Sequence, residues 1–221
     1  MTAKFITVAN QKGGSGKTTV AMQLGGTLGR RGKRVLIIDA DPQGTAVRWA
    51  ASAEDGKPFP AKVVGLSAAG GKVHREARKF IEEYDYIVID CPPAVDSPVP
   101  QSALLISDLV LIPVIPSPAD LWAATGIQQL INNMQEVNEA LKACLVANMC
   151  QPNTNLAKDV LEVLGEFGIP LTKTYLGLRM VYRRSAVFGG TVHEEGSSAR
   201  SAIEEVDALT DEVLGLLKAT A

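Results

Sequence analysis

Residues 10 to 19 read Asn10-Gln11-Lys12-Gly13-Gly14-Ser15-Gly16-Lys17-Thr18-Thr19, a glycine-rich stretch with two lysines, Lys12 and Lys17. An ordinary phosphate-binding loop has the form G-x-x-x-x-G-K-[ST]. Its glycines let backbone N–H groups approach the phosphates, its lysine meets the β- and γ-phosphates, and its hydroxyl binds Mg²⁺. The chain keeps Gly16-Lys17-Thr18 but has Gln11 where the first glycine would stand. Before the loop, Lys4-Phe5-Ile6-Thr7-Val8-Ala9 is a short apolar run suited to a buried strand; after Lys17 the pattern is helical. The loop therefore joins strand to helix, the context the motif requires. A glycine-rich linker with two chance lysines would lack those flanks. The phosphate contacts expected are Lys12, Gly13, Gly14, Ser15, Gly16, Lys17, Thr18 and Thr19.

Length and composition set the bounds around this loop. The 221 residues, 46% hydrophobic, suffice for a sizeable core and fit a single domain over 1–221. The net charge of −2 gives no whole-molecule positive field, so any contact with nucleic acid must come from a local patch. Cys91, Cys144 and Cys150 are odd in number and lack C-x-x-C spacing, and read as reduced and mostly buried. The N-terminus enters a strand without a basic and apolar leader, and no apolar run reaches about 18 residues. A cytoplasmic protein is expected.

Strand and helix signals alternate along the chain, the pattern of an α/β fold with a doubly wound, mainly parallel sheet flanked by helices. Strands are predicted near 4–9, 33–38, 61–64, 85–89, 108–114, 143–148 and 171–176. Helices are predicted near 17–31, 43–52, 72–83, 99–106, 119–140, 155–166, 180–188 and 199–218, with Gly32 and Gly168 as helix ends. The Pro/Gly-bearing stretch 54–60 reads as a surface loop.

Two further loops fall at the carboxyl ends of predicted strands, where open α/β sheets bind ligands. One is Asp39-Ala40-Asp41-Pro42-Gln43-Gly44, which is also good turn chemistry. The other, Asp90-Cys91-Pro92-Pro93, ends the apolar run Tyr86-Ile87-Val88-Ile89 with a carboxylate suited to holding Mg²⁺ through water. Mg²⁺ keeps several waters and takes few protein ligands, so Thr18 with an outer Asp90 is chemically sufficient. Cys91 reads as a packing residue.

The loop form K-G-G-x-G-K-[ST]-[ST] with its early lysine resembles the ParA/MinD family of dimeric, deviant Walker A ATPases, and Asn10-Gln11-Lys12 resembles the ParA partition branch. The resemblance extends over nearly the whole chain and implies ATP and Mg²⁺ as cofactors and a homodimer in the ATP state. It implies that Lys12 reaches across the dimer to the partner's nucleotide, where a cation stabilises charge spreading over the γ-phosphoryl oxygens. Asp39 to Gly44 matches the family's D-x-D-P-Q-G signature; Asp41 aligns with the residue that positions the attacking water, and Asp39 lies nearer the metal shell. The catalytic set implied is Lys12, Lys17 and Asp41, and the metal set Thr18, Asp39 and Asp90. Asn148, in the region where the family contacts the adenine, is a candidate for the base edge; a turn former is the plainer reading. Pro113 to Trp122 resembles the family's loop opening an interface helix, with Trp122 either an interface anchor or a core residue.

From Phe167 to Val192 no acidic residue occurs, while Lys173, Arg179, Arg183 and Arg184 do. The last 28 residues carry seven acidic residues against Arg200 and Lys218. In partition relatives basic residues at the corresponding places bind DNA without sequence preference, which makes Arg179, Arg183, Arg184 and Arg200 the candidates here. Arginines bridging carboxylates of the last helix are the alternative. The acidic C-terminus would be repelled by anionic lipid, so no membrane targeting is expected. The resemblance thus implies a small ParA-type ATPase, without an N-terminal helix-turn-helix domain, whose ATP dimer binds nucleoid DNA and whose hydrolysis is stimulated by a ParB-like or other cargo-bound protein. It would drive plasmid or chromosome partition, or cargo positioning. The alternative is a nucleotide-gated scaffold that positions a protein complex, such as a chemoreceptor array or secretion machinery, through protein contacts.

Overall fold

Uninterrupted apolar runs are what strands buried on both faces require, and four such runs form the centre of the sheet with a fifth at one edge. The computed structural model describes residues 2–93, 97–151, 162 and 168–219, with the backbone alone over 118–125. Six strands, β1 (Lys4–Val8), β2 (Val35–Asp39), β3 (Lys62–Gly65), β4 (Tyr86–Asp90), β5 (Leu109–Val114) and β6 (Lys142–Ala147), form one parallel sheet in the order β3-β2-β4-β1-β5-β6. Helices α1 (Lys17–Arg30), α2 (Thr45–Ala51), α3 (Val73–Arg78), α4 (Pro98–Leu104), α5 (Pro118–Gln135), α6 (Met180–Val187) and α7 (Arg200–Lys218) cover it.

Alternate strand residues point to opposite faces, and the two cores follow that alternation. Phe5, Leu36, Ile38, Ile87 and Ile89 pack with Val73, Ala103, Ile127 and Ile131 from α3, α4 and α5. Ile6, Val8, Ile37 and Val88 pack on the other face with Leu24 of α1, Trp49 of α2, Tyr182 of α6 and Val206 of α7. The register sets Asp39 beside Asp90 and Asp90 beside Val8. The ends of β2, β4 and β1 therefore bring all three candidate loops to one edge.

The strand predicted at 171–176 is a correction. Pairing is reduced to isolated bridges, Leu145 of β6 with Leu171 and Cys150, beyond β6, with Gly177. Between them the N–H groups of Lys173 and Thr174 donate to the Glu212 carboxylate at 2.6 and 3.1 Å, which takes them out of the ladder. The helix predicted to 140 ends at Gln135; Asn138 turns back and donates from Nδ2 to the carbonyls of Leu104 and Ser107. The helix predicted over 72–83 is α helical only to Arg78, preceded by a 3-10 turn over Ser67–Lys72. Gly32, at φ 76°, closes α1 as expected, with Lys33 N–H reaching back to Leu28 O. The helix predicted over 155–166 lies outside the described residues except at residue 162, which is helical. Among those described, no helix is long and apolar enough to cross a membrane.

Candidate active site

The glycine-rich loop is held from both sides. Asn10, buried, donates from Nδ2 to Pro113 O at 2.7 Å and accepts the Lys12 N–H at 3.2 Å, which ties the loop's entry to the end of β5. Asn148, just past β6, donates from Nδ2 to Ser15 O at 2.8 Å and accepts the Met149 N–H at 2.9 Å. Gly16 sits directly against this amide with φ 87°, and a Cβ there would collide with Asn148 Nδ2. Only glycine meets both demands at once. Gln11, in the place of the missing glycine, lays its amide on Gly126 of α5, where a Cβ would likewise collide with it.

At the exit of the loop α1 begins, and Lys17 is buried in its first turn. Its Nζ donates to the main-chain carbonyl of Lys12 at 3.0 Å, which also accepts the Ser15 hydroxyl at 3.3 Å. Burial lowers the Lys17 pKa, opposed by the nearby charges of Asp90 and Asp41. Thr18 and Thr19 follow, half-buried, and the Lys12 side chain is half-buried at the rim.

The three aspartates differ in what they touch. Asp39, buried, accepts the N–H of Asp41 at 3.2 Å and of Val47 at 3.0 Å. Its two oxygens thus hold the turn and the first turn of α2, and burial raises its pKa. Asp41, half-buried at the rim, accepts the Gln43 N–H at 2.9 Å on Oδ1, and its carbonyl accepts the Gly44 N–H. Asp90 is fully buried, and neither carboxylate oxygen has a hydrogen-bond partner among the described residues. Burial pushes its pKa up to about 7; the Thr18 hydroxyl, close by but outside hydrogen-bonding geometry, and the Lys17 charge pull it down, and Asp39 adds to the rise. An orphaned buried carboxylate beside a threonine hydroxyl and a lysine fits a hydrated divalent cation. The residues that fit are Thr18 and Asp90, while Asp39 is taken up by backbone N–H groups.

The candidate arginines lie elsewhere and have unequal partners. Arg179 donates from Nε and Nη2 to Glu205 Oε1 at 2.9 and 2.6 Å, and the same carboxylate accepts Gly177 N–H and Tyr182 Oη. Arg184 pairs with Glu195 at 2.7 Å and Arg200 with the exposed Glu204 at 3.0 Å. Arg179 therefore follows the bridging alternative. Arg183 is exposed on α6 and has no ion pair among the described residues. Cys91, Cys144 and Cys150 are buried free thiols, and the Trp122 side chain lies outside the description. Sequence reasoning missed the bracing by Asn148 and the seat that Gly126 gives Gln11. Only the sheet order, which sets β6 beside β5 and β5 beside β1, brings those distant residues to the loop.

The sequence family described as CobQ/CobB/MinD/ParA nucleotide binding domain matches residues 6–189. The chain is 34% identical over 209 residues to the "Maintenance of carboxysome distribution protein A" of Halothiobacillus neapolitanus, covering 95% of each protein. It is 31% identical to the "Sporulation initiation inhibitor protein Soj" of Bacillus subtilis, over 74% of this chain and 79% of that one. Among solved structures, a point variant of Cyanothece McdA in complex with ATP superposes with a TM-score of 0.79 at 19% identity over 99% of both chains.

Proposed function

As the chain belongs to the CobQ/CobB/MinD/ParA nucleotide-binding family and is an ATPase of the ParA/MinD type, we propose that it uses ATP to distribute a large intracellular body, of the carboxysome kind, over nucleoid DNA. The observation that carries this reading is the 34% identity to a carboxysome distribution protein over 95% of both chains.

Lys17 leaves the Lys12 carbonyl for the β- and γ-phosphates, and the N–H groups of residues 13–18 surround them. Thr18 and Asp90 would hold Mg²⁺, which would supply neutralisation of the phosphate charge. Asp41 orients the attacking water, and its Gln43 bond fixes the carboxylate for that purpose. Lys12 reaches the nucleotide of the facing subunit and so makes catalysis depend on the ATP-held dimer. Asn148 serves the loop rather than the base. Arg183, with Arg200 beside its exposed partner Glu204 and with the exposed Arg184, whose charge is offset by the buried Glu195 side chain, gives each subunit a cationic surface for DNA, and the dimer doubles it. A cargo-bound partner protein stimulates hydrolysis and releases the dimer from the nucleoid.

Chromosome or plasmid partition is the second reading, favoured by 30% identity over 89% of the chain to the "Chromosome-partitioning ATPase Soj" of Thermus thermophilus. Deleting the coding region and imaging both the cargo bodies and marked replicons separates the two. Clustered bodies with normal replicon inheritance are the expected result; evenly spaced bodies with replicon loss would establish partition instead.

A further inference from the structure

Helix α6 is fastened to the two helices that begin at the candidate active site. On α1, Gln23 lies about 1.7 turns beyond Lys17 and is buried. Its Nε2 donates to Ser185 Oγ on α6 at 2.9 Å, and its Oε1 accepts the Val192 N–H beyond α6 at 3.0 Å. The Ser185 hydroxyl donates in turn to Tyr182 O at 3.0 Å. On α2, Trp49 Nε1 donates to Gly190 O at 2.9 Å. Gly189 between them presses on the backbone of Ser52 and Ala53 just past α2, closer than a Cβ would allow.

Apolar packing would seat α6 without fixing its register, whereas a buried amide is tolerated only with its bonds made. Gln23 thus allows one placement of α6 relative to α1, and Trp49 one placement relative to α2. The N-terminal turns of these helices carry the reacting groups. Lys17 and Thr18 stand in the first turn of α1, and Asp39 holds Val47 in the first turn of α2 beside Asp41. A shift of either helix start, as Lys17 moves from the Lys12 carbonyl to phosphate or the Asp41 turn closes on water, would be carried along these helices. α6 and the turn after it would then follow, or break the buried Gln23 bonds and the part-buried Trp49–Gly190 bond.

We propose that Gln23 and Trp49 are positioning residues that carry nucleotide occupancy from the phosphate loop and the Asp41 turn to α6, changing how the Arg183 face is presented. The proposal rests on the nucleotide site described above, and it does not depend on what α6 binds.

Amide hydrogen exchange of the full chain, with and without MgATP, tests it, with ATP affinity measured on the same preparations. Residues 180–190 should change their exchange when wild type binds ATP. Trp49→Phe keeps the ring packing and deletes the donor; it should bind ATP like wild type and cut that change by about 2- to 30-fold, the span such couplings cover. Gln23→Leu and Ser185→Ala should act alike from the α1 side, and if either fails to fold, Trp49→Phe still decides. A bond that only stabilised the fold would lower Tm and leave the ATP-dependent difference intact. Wild type binding ATP without any change at 180–190, or variants that retain the full change, overturns the coupling and leaves the nucleotide site standing. A wild type that does not bind ATP overturns the site and the coupling together.

Discussion

Lys12 gives its carbonyl to Lys17 and Ser15, and the residue is half-buried. Lys12→Ala leaves those main-chain bonds in place and removes the charge. The variant should bind ATP as a monomer, fail to form the ATP dimer, and lose hydrolysis. Mixing it with Asp41→Ala gives mixed dimers in which the Asp41→Ala subunit donates an intact lysine to a site whose own Asp41 is unchanged. Partial recovery of phosphate release, absent from either variant alone, is the expected outcome; dimerisation and turnover like wild type in Lys12→Ala would falsify action across the interface. Asp90 makes a different prediction, for the protein without metal or nucleotide. Its folded pKa, about 7, is raised above the ordinary carboxylate value, so the folded state binds the extra proton between the two values. Stability therefore falls as pH rises through that window and is lowest above it. In EDTA, Asp90→Asn should be more stable than wild type at about pH 8 by on the order of 1–3 kcal/mol, and the gap should close toward about pH 5. Parallel melting curves with a constant gap would show that the carboxylate is not the cause.

At the scale of elements, the loop is a bridge between strand ends as much as a sequence motif. Asn10 binds it to β5 and Asn148 to the end of β6, while Gln11 leans on α5. Asn148→Ala removes the donor to Ser15 O and should cost about 1–3 kcal/mol of apo stability, with weaker binding of ATP and GTP alike. Thermal melts and nucleotide titrations check this. A variant with wild-type apo stability that has lost only its preference for ATP would return Asn148 to the adenine edge. The apolar runs of β1, β2, β4, β5 and β6 were legible because strands covered on both faces need no polar alternation. The break at 171–176 was not, since β-propensity cannot register that Glu212, about 40 residues away, competes for two of its N–H groups. The pairing of Arg179 was open for the same reason: the sequence allows it either a DNA contact or a carboxylate of the last helix, and in the fold it pairs with Glu205.

For the whole molecule, a net charge of −2 makes DNA affinity a matter of which cations are unpaired. Arg183→Ala should weaken ATP-dependent DNA binding and lower the slope of log affinity against log salt by about 1 per subunit. Arg179→Ala should mainly cost stability by stranding Glu205, which is largely buried. Anisotropy titrations at several salt concentrations, run beside thermal melts, distinguish these outcomes; a stable Arg179→Ala with the larger loss of slope would reverse the assignment. The sequence by itself determined the alternation of strands and helices, the loop with its two lysines, and the aspartates at strand ends. Those features are local: apolar periodicity and short motifs act within a few residues of where they are written. Tertiary structure alone decided that Asp90 is the buried carboxylate left without a partner among the described residues, that Asn148 and Gly126 shape the loop, that Arg183 is the candidate arginine without an ion pair there, and that α6 is tied to α1 and α2. Each of these is a competition for hydrogen bonds and space among residues brought together by the sheet order β3-β2-β4-β1-β5-β6, and no separation along the chain encodes its result.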